Sequence, residues 1–226
     1  MKKAIGIFLS VVLIGCTATE SETRINKKYP IDAETEKEII HVLTEVELAH
    51  PYTPEFMLKN SDAVVVAKII SIDHADMKSN TVIGYTDGTA EIIDVIYGNM
   101  DNSVFSYKKP GCVLSAKEYE QTYSEEEMNK ILHLRKENGW PENYDYLYYD
   151  TTLEEDIHIE EGHIYLMYLN YIESMNQYEI IGLGNGLREV KSAENVYERD
   201  TAMIKNNTIG EYESLSEYCR EYIPRE

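Results

Sequence analysis

Hydrophobic positions along this chain change their period several times, and each change marks a boundary between elements. An uncharged apolar run over residues 4–14 follows Lys2 and Lys3, and residues 17–31 are polar. Over residues 32–50, Ile39, Val42, Leu43 and Val46 recur at i, i+3, i+4 and i+7. Thr35 and Glu38 have the spacing of a capping box, so a helix is predicted here, ending before Pro51. Thr53-Pro54-Glu55 opens a second, short helix with threonine as N-cap and proline in the first turn. After Asn60 the pattern tightens. Residues 63–72 are β-branched and nearly continuous, which predicts a strand covered on much of both faces.

Residues 81–85 and 89–97 flank Asp87-Gly88, a strong hairpin signal. The second arm switches parity between Ile92 and Ile93, which predicts a β-bulge of the kind that bends strands in small barrels. A strand over residues 103–107 runs into a turn at Pro110-Gly111. Ser124 and Glu127 form a second capping box, and Met128, Ile131, Leu132 and Arg135 continue one helix face toward Gly139, a predicted C′ residue. Residues 163–172 carry the strongest strand pattern, and residues 178–183 and 187–190 predict a hairpin around Asn185-Gly186. Ser214 and Glu217 cap a last helix with Leu215, Tyr218, Cys219 and Tyr222 on one stripe, which makes Cys219 a packing residue. The fold class is mainly β (α+β): a small antiparallel β-barrel with a helical insertion and flanking N- and C-terminal helices. The predicted organisation is a leader over residues 1–15 and a tether with a helix over 16–52. A barrel follows over 53–191, with its insertion at about 113–157, and a helical extension over 192–226.

The leader changes the picture most. At about 1.5 Å per helical residue, its apolar run reaches only half of a roughly 30 Å hydrocarbon core, so it reads as a signal peptide rather than a span. Leu13-Ile14-Gly15-Cys16 resembles a bacterial lipobox. That resemblance implies cleavage before Cys16, a diacylglyceryl group (and so palmitate-type acyl chains) on its sulfur, and a lipoprotein held at the outer face of the cell membrane. Two acyl chains anchor stably, at about 0.8 kcal/mol per buried CH2.

Charge narrows the partners. The chain carries 21 basic and 41 acidic residues, net −20, and −22 once Lys2 and Lys3 leave with the leader. Nucleic acid is thereby disfavoured as a partner, because binding it rests on neutralising phosphates. Anionic polymers should be repelled, and basic proteins or divalent cations attracted. Besides Cys16 there are only Cys112 and Cys219, which sequence leaves open as one disulfide or two buried thiols.

Candidate chemistry is sparse. His158-Ile-Glu-Glu-Gly-His163 groups ligand types suited to zinc, but its spacing fits no helical zinc motif, and it reads as an acidic turn before a strand. Gly182-Leu-Gly-Asn-Gly186 lacks the phosphate-cradling spacing and reads as a turn. No nucleophile motif occurs, so no catalytic, metal or cofactor residue is assigned. Tyr144, Tyr146, Tyr148 and Tyr149 lie in a polar, acidic stretch. Exposed, they would supply stiff amphipathic area for a partner; otherwise they cover the insertion as local core.

The order of Ser61-Asp62-Ala63-Val-Val-Val-Ala-Lys68, Gly88-Thr-Ala-Glu-Ile-Ile-Asp-Val-Ile-Tyr-Gly98, Glu160-Glu-Gly-His-Ile-Tyr-Leu-Met-Tyr-Leu169 and a closing glycine turn resembles one family group. It is similar to Gram-positive surface lipoproteins and exported domains with an OB-like barrel, related in shape to netrin and tissue-inhibitor-of-metalloproteinase modules, over roughly residues 54–190. The animal modules carry several disulfides, and the inhibitors a free N-terminal cysteine; an acylated Cys16 removes that chemistry. The resemblance implies an OB-like fold and a leaning toward binding. The expectation is a non-catalytic extracytoplasmic module that binds a protein or small ligand. Its alternatives are a cell-envelope hydrolase with unassigned acidic residues, or an accessory subunit of a membrane complex.

Overall fold

The computed structural model describes residues 38–41, 52–76, 84–121, 123–137, 139, 145, 147–153, 156–191 and 197–223. The leader, Cys16 and the polar segment after it lie outside these residues. The chain runs through β1 (Glu38–His41), α1 (Pro54–Lys59), β2 (Ala63–Asp76), β3 (Tyr85–Gly98) and β4 (Val104–Pro110). An insertion of β5 (Val113–Ser115), α2 (Ala116–Glu120), α3 (Glu125–Glu137) and β6 (Leu147–Asp150) follows. Next come β7 (Ile164–Ile172), a 3-10 turn (Glu173–Met175), β8 (Gln177–Ile180), the one-turn α4 (Leu183–Gly186) and β9 (Leu187–Lys191). β10 (Met203–Lys205), β11 (Tyr212–Ser214) and α5 (Leu215–Tyr222) complete the described chain. Among these residues no helix is long and apolar enough to cross a membrane.

Five strands close a barrel. β7, β2, β3, β4 and β8 are neighbours in that order, and β8 pairs back onto β7. Four of the five seams are antiparallel, while β4 and β8 pair in parallel through Tyr107↔Tyr178 and Lys108↔Glu179. The expected all-antiparallel barrel is therefore corrected to a mixed one. The reason is arithmetic: direction cannot alternate around a ring with an odd number of strands, so one seam must be parallel.

The near-continuous apolar run of β2 reflects two cores, one on each face. Val65, Ala67 and Ile69 point into the barrel with Tyr165, Met167, Leu169, Phe105 and Tyr107. Val64 and Val66 point outward, beneath a layer that includes Met57, Leu166, Tyr168, Ile204, Leu215 and Tyr218. α1 and α5 supply part of that cover. The Thr53 hydroxyl accepts the Phe56 N–H at 3.3 Å, and the Ser214 hydroxyl accepts that of Glu217 at 3.3 Å, as their spacings predict.

The bulge expected between Ile92 and Ile93 is present: Val66 pairs with Asp94 and Ala67 with Ile92, so Ile93 has no opposite number. A second shift passes over Ile96, and two more fall on β2. These extra residues coil the long β2–β3 ribbon enough for five strands to close.

Two predicted hairpins are absent. β3 runs straight through Asp87-Gly88, paired with His74 and Ile72 on one side and with Lys108 and Tyr107 on the other. Gly88 is required for space: a Cβ there would lie 2.2 Å from the Ser71 carbonyl oxygen and 2.4 Å from the Tyr107 hydroxyl. Around Asn185-Gly186, β8 and β9 do not pair with each other. They lie end to end along one edge of β7, joined by α4, so the turn residues carry the chain along an edge rather than back on itself. Gly182, at φ +86°, receives Met57, whose Sδ would lie 2.3 Å from an added Cβ.

The helix predicted over residues 32–50 is not found where the chain is described. Glu38–His41 is β1, paired in parallel with Leu147–Asp150. A free edge of β6 outcompetes the local helical signal at a site with two adjacent β-branched residues; the rest of that segment lies outside the described residues. β1, β6 and β5 form a separate three-stranded sheet. Beside it, Glu127 and Ser124 close the predicted capping box, and Ser115 with Glu118 forms one that the sequence reading missed. Gly139 adopts φ +66° just beyond α3.

Candidate functional site

The insertion carries part of the tyrosine cluster singled out from sequence. Tyr148 and Tyr149 are half-buried on β6, and the Tyr149 ring lies 4.6 Å from that of Tyr119, which meets Tyr123 edge-on at 5.6 Å. Burial, with Glu120 nearby, raises the Tyr149 hydroxyl above its ordinary pKa. Tyr149 is thus part of the small core around Cys112, Leu114 and Tyr119. Tyr144 and Tyr146 lie outside the described residues. A buried ion pair between Arg135 and Glu120 ties α3 to α2.

Where the insertion meets the barrel, four polar groups are pinned together. Lys109 Nζ sits 2.6 Å from Asp156 Oδ2, with side chains 3% and 1% exposed, and donates a second hydrogen bond to the Pro110 carbonyl. His158 Nε2 lies 2.9 Å from Asp150 Oδ2, whose other oxygen accepts the Thr152 N–H at 2.9 Å. Burial pushes the Asp150 carboxyl up, but the His158 and Thr152 hydrogen bonds and the imidazole's charge together hold it below its ordinary value. A carboxyl so held stays ionised at neutral pH and cannot serve as a general acid there. The Thr151 hydroxyl accepts the Gly84 and Cys112 N–H groups, a backbone clasp rather than a nucleophile's environment.

The histidine pair divides. His158 faces Asp150, whereas His163 lies 3.1 Å from Glu160 and 3.6 Å from Glu189. Glu161 turns away to accept the Ile72 N–H at 2.8 Å. Among the described residues, no three or more metal-ligating side chains come together. Cys112 and Cys219 belong to different cores and are not joined by a disulfide. Cys219 borders a cleft of about 200 Å³ between β3 and α5. Burial raises its thiol to about 11, and the neighbouring Arg199 guanidinium is already forked onto Asp94, which also accepts the Tyr197 hydroxyl at 2.7 Å. That cleft is a closed ion-pair network, not a reactive thiol site.

The surface with unspent binding capacity is the β7–β8 end of the barrel. Tyr165, Met167 and Leu169 point into the barrel, and the same parity carries Tyr171 to its rim. Tyr171 pairs across the ladder with Tyr178, and their rings lie 5.0 Å apart at 50°. Tyr178 stands edge-on to Phe105 at 5.5 Å, so the rim aromatics continue the barrel core outward. Tyr171 remains 40% exposed and Met175, in the connecting turn, 44%. The turn is locked, since the Tyr171 hydroxyl donates to Asn176 Oδ1 at 2.8 Å and Asn176 adopts φ 50°. Exposed Asp62 accepts the Tyr171 N–H at 2.7 Å, and exposed Asp101 lies close enough to raise the Tyr178 hydroxyl, after burial and with Tyr171 and Asp62. No lysine or arginine among the described residues forms an ion pair with Asp62, Asp101 or Glu173.

The sequence reading did not select Tyr171, Tyr178 or Asp62. Tyr171 and Tyr178 lie within predicted strands, but which tyrosines meet depends on register across the turn, and Asp62 joins them only through the pairing of β2 with β7. Comparison with known proteins finds no counterpart: no family model matches the chain, and no curated protein or solved structure is significantly similar to it.

Proposed function

We propose that this chain is a lipid-anchored extracytoplasmic binding module, held by a diacylglyceryl group on Cys16, that meets a partner outside the membrane through the β7–β8 end of an OB-like barrel. Two features support the OB-like reading: the closed order β2-β3-β4-β8-β7 with its parallel β4–β8 seam, and helices inserted between β4 and β7. Binding rather than catalysis is favoured by one observation above the others. The barrel interior is filled by Phe105, Tyr107, Tyr165, Met167 and Leu169, and the aromatic stack then surfaces at Tyr171, which is exposed among the described residues. The buried carboxylates Glu120, Asp150 and Asp156 are each committed to a cationic or imidazole partner, which leaves them poorly suited to hydrolytic acid–base work.

The anchor is tested by growth with labelled palmitate. The full-length chain should take up label and sediment with membranes, and Cys16→Ala should do neither. Equal labelling of the two would remove the lipid anchor from the proposal.

A further inference from the structure

The proposed binding face carries a charge pattern that selects its occupant. Tyr171 and Tyr178 offer ring faces that are attractive to a cation, Met175 adds adaptable apolar area, and the Asp62 carboxylate, which accepts the Tyr171 N–H, stands beside them. A ring quadrupole and a carboxylate both favour a positive group, and Asp62, Asp101 and Glu173 are left without a cationic partner among the described residues. At two other places the same grouping already holds its cation. Lys108 lies over the Tyr85 ring at 4.5 Å and 3.4 Å from Asp87, and Arg188 lies over Tyr218 and pairs with Glu213. The chain thus uses lysine or arginine over tyrosine beside a carboxylate as a recurring internal contact, and at the β7–β8 end it presents the tyrosine and the carboxylate alone.

We propose that this end docks a basic segment of a partner protein, seating a lysine or arginine side chain on the Tyr171–Tyr178 rings with Asp62 as its counter-charge. This rests on the reading of the chain as a binding module and names that module's ligand class. The net charge of −20 gathers basic chains over the whole surface, so the tyrosines must supply the local specificity.

The test is titration of the purified full-length chain with an oligolysine peptide and, separately, with tetramethylammonium. Tyr171→Leu keeps the net charge and should weaken oligolysine binding about tenfold, while Tyr171→Phe, which keeps the ring, should bind like the parent chain. Asp62→Asn, which keeps a side-chain oxygen to accept the Tyr171 N–H, should weaken binding more than Glu211→Gln, an equal change of charge at an exposed position between β10 and β11. Binding insensitive to Tyr171→Leu, or equal losses in Asp62→Asn and Glu211→Gln, would mean bulk attraction only and would overturn the proposal. So would a response to tetramethylammonium with none to oligolysine. Thermal melts of each variant separate lost binding from lost fold. Because the lipid anchor is read by palmitate labelling, a failure here leaves that part of the functional proposal standing.

Discussion

Gly88 shows how closely the barrel is packed at single-residue scale. A methyl group there meets a backbone carbonyl and a buried tyrosine hydroxyl at under 2.5 Å, and neither is a flexible tip. Gly88→Ala should therefore cost about 1–3 kcal/mol by overpacking, read as a lower urea midpoint with an unchanged slope. The buried pair of Lys109 and Asp156 makes a sharper case. Asp156→Leu strands an ammonium group that is 3% exposed and should cost about 3–5 kcal/mol, whereas Lys109→Met with Asp156→Leu should recover most of the loss. Asp150 adds a pH dependence. Its carboxyl is held below its ordinary 3.8, so the stability it contributes is present above that value and disappears as pH falls through the lower folded-state value. The stability gap between the parent chain and Asp150→Asn should be widest near neutrality and close in acid, as measured by urea unfolding across pH.

At the scale of elements, legibility followed locality. The caps at Thr53, Ser124 and Ser214 and the bulge beside Ile93 depend on residues within a few positions or on strand parity, and each appears in the structure. What failed depended on distant chain. Asp87-Gly88 has the chemistry of a turn, yet β3 passes through it because Ser71 and Tyr107 need the missing side chain. Glu38–His41 pairs with β6, more than a hundred residues later, and no local period signals that. The parallel register predicts that Ile39→Pro together with Ile40→Pro, which removes whichever of the two N–H groups faces β6, raises amide exchange along Leu147–Asp150 while Val64–Val66 stays protected. Equal exchange in both would mean that β1 does not hold that sheet.

Over the whole molecule, the sequence reading reached the mainly β class and a barrel with interposed helices, because apolar runs such as that of β2 announce cover on two faces. It did not reach the candidate site, which exists only where strand pairing sets Tyr171, Tyr178 and Asp62 side by side. Of the four tyrosines it singled out as either partner contacts or local core, Tyr149 serves the insertion core, since alternation on a short strand turns it toward Tyr119. The proposal is that the leader sends the chain outward and that the barrel end meets a partner there. Its most direct test is Met175→Cys in a Cys219→Ser background, treated in intact cells with a membrane-impermeant maleimide; Cys112 is buried and should stay silent. The account predicts labelling before lysis. Labelling only after the cells are broken would place the barrel end on the wrong side of the membrane and contradict it.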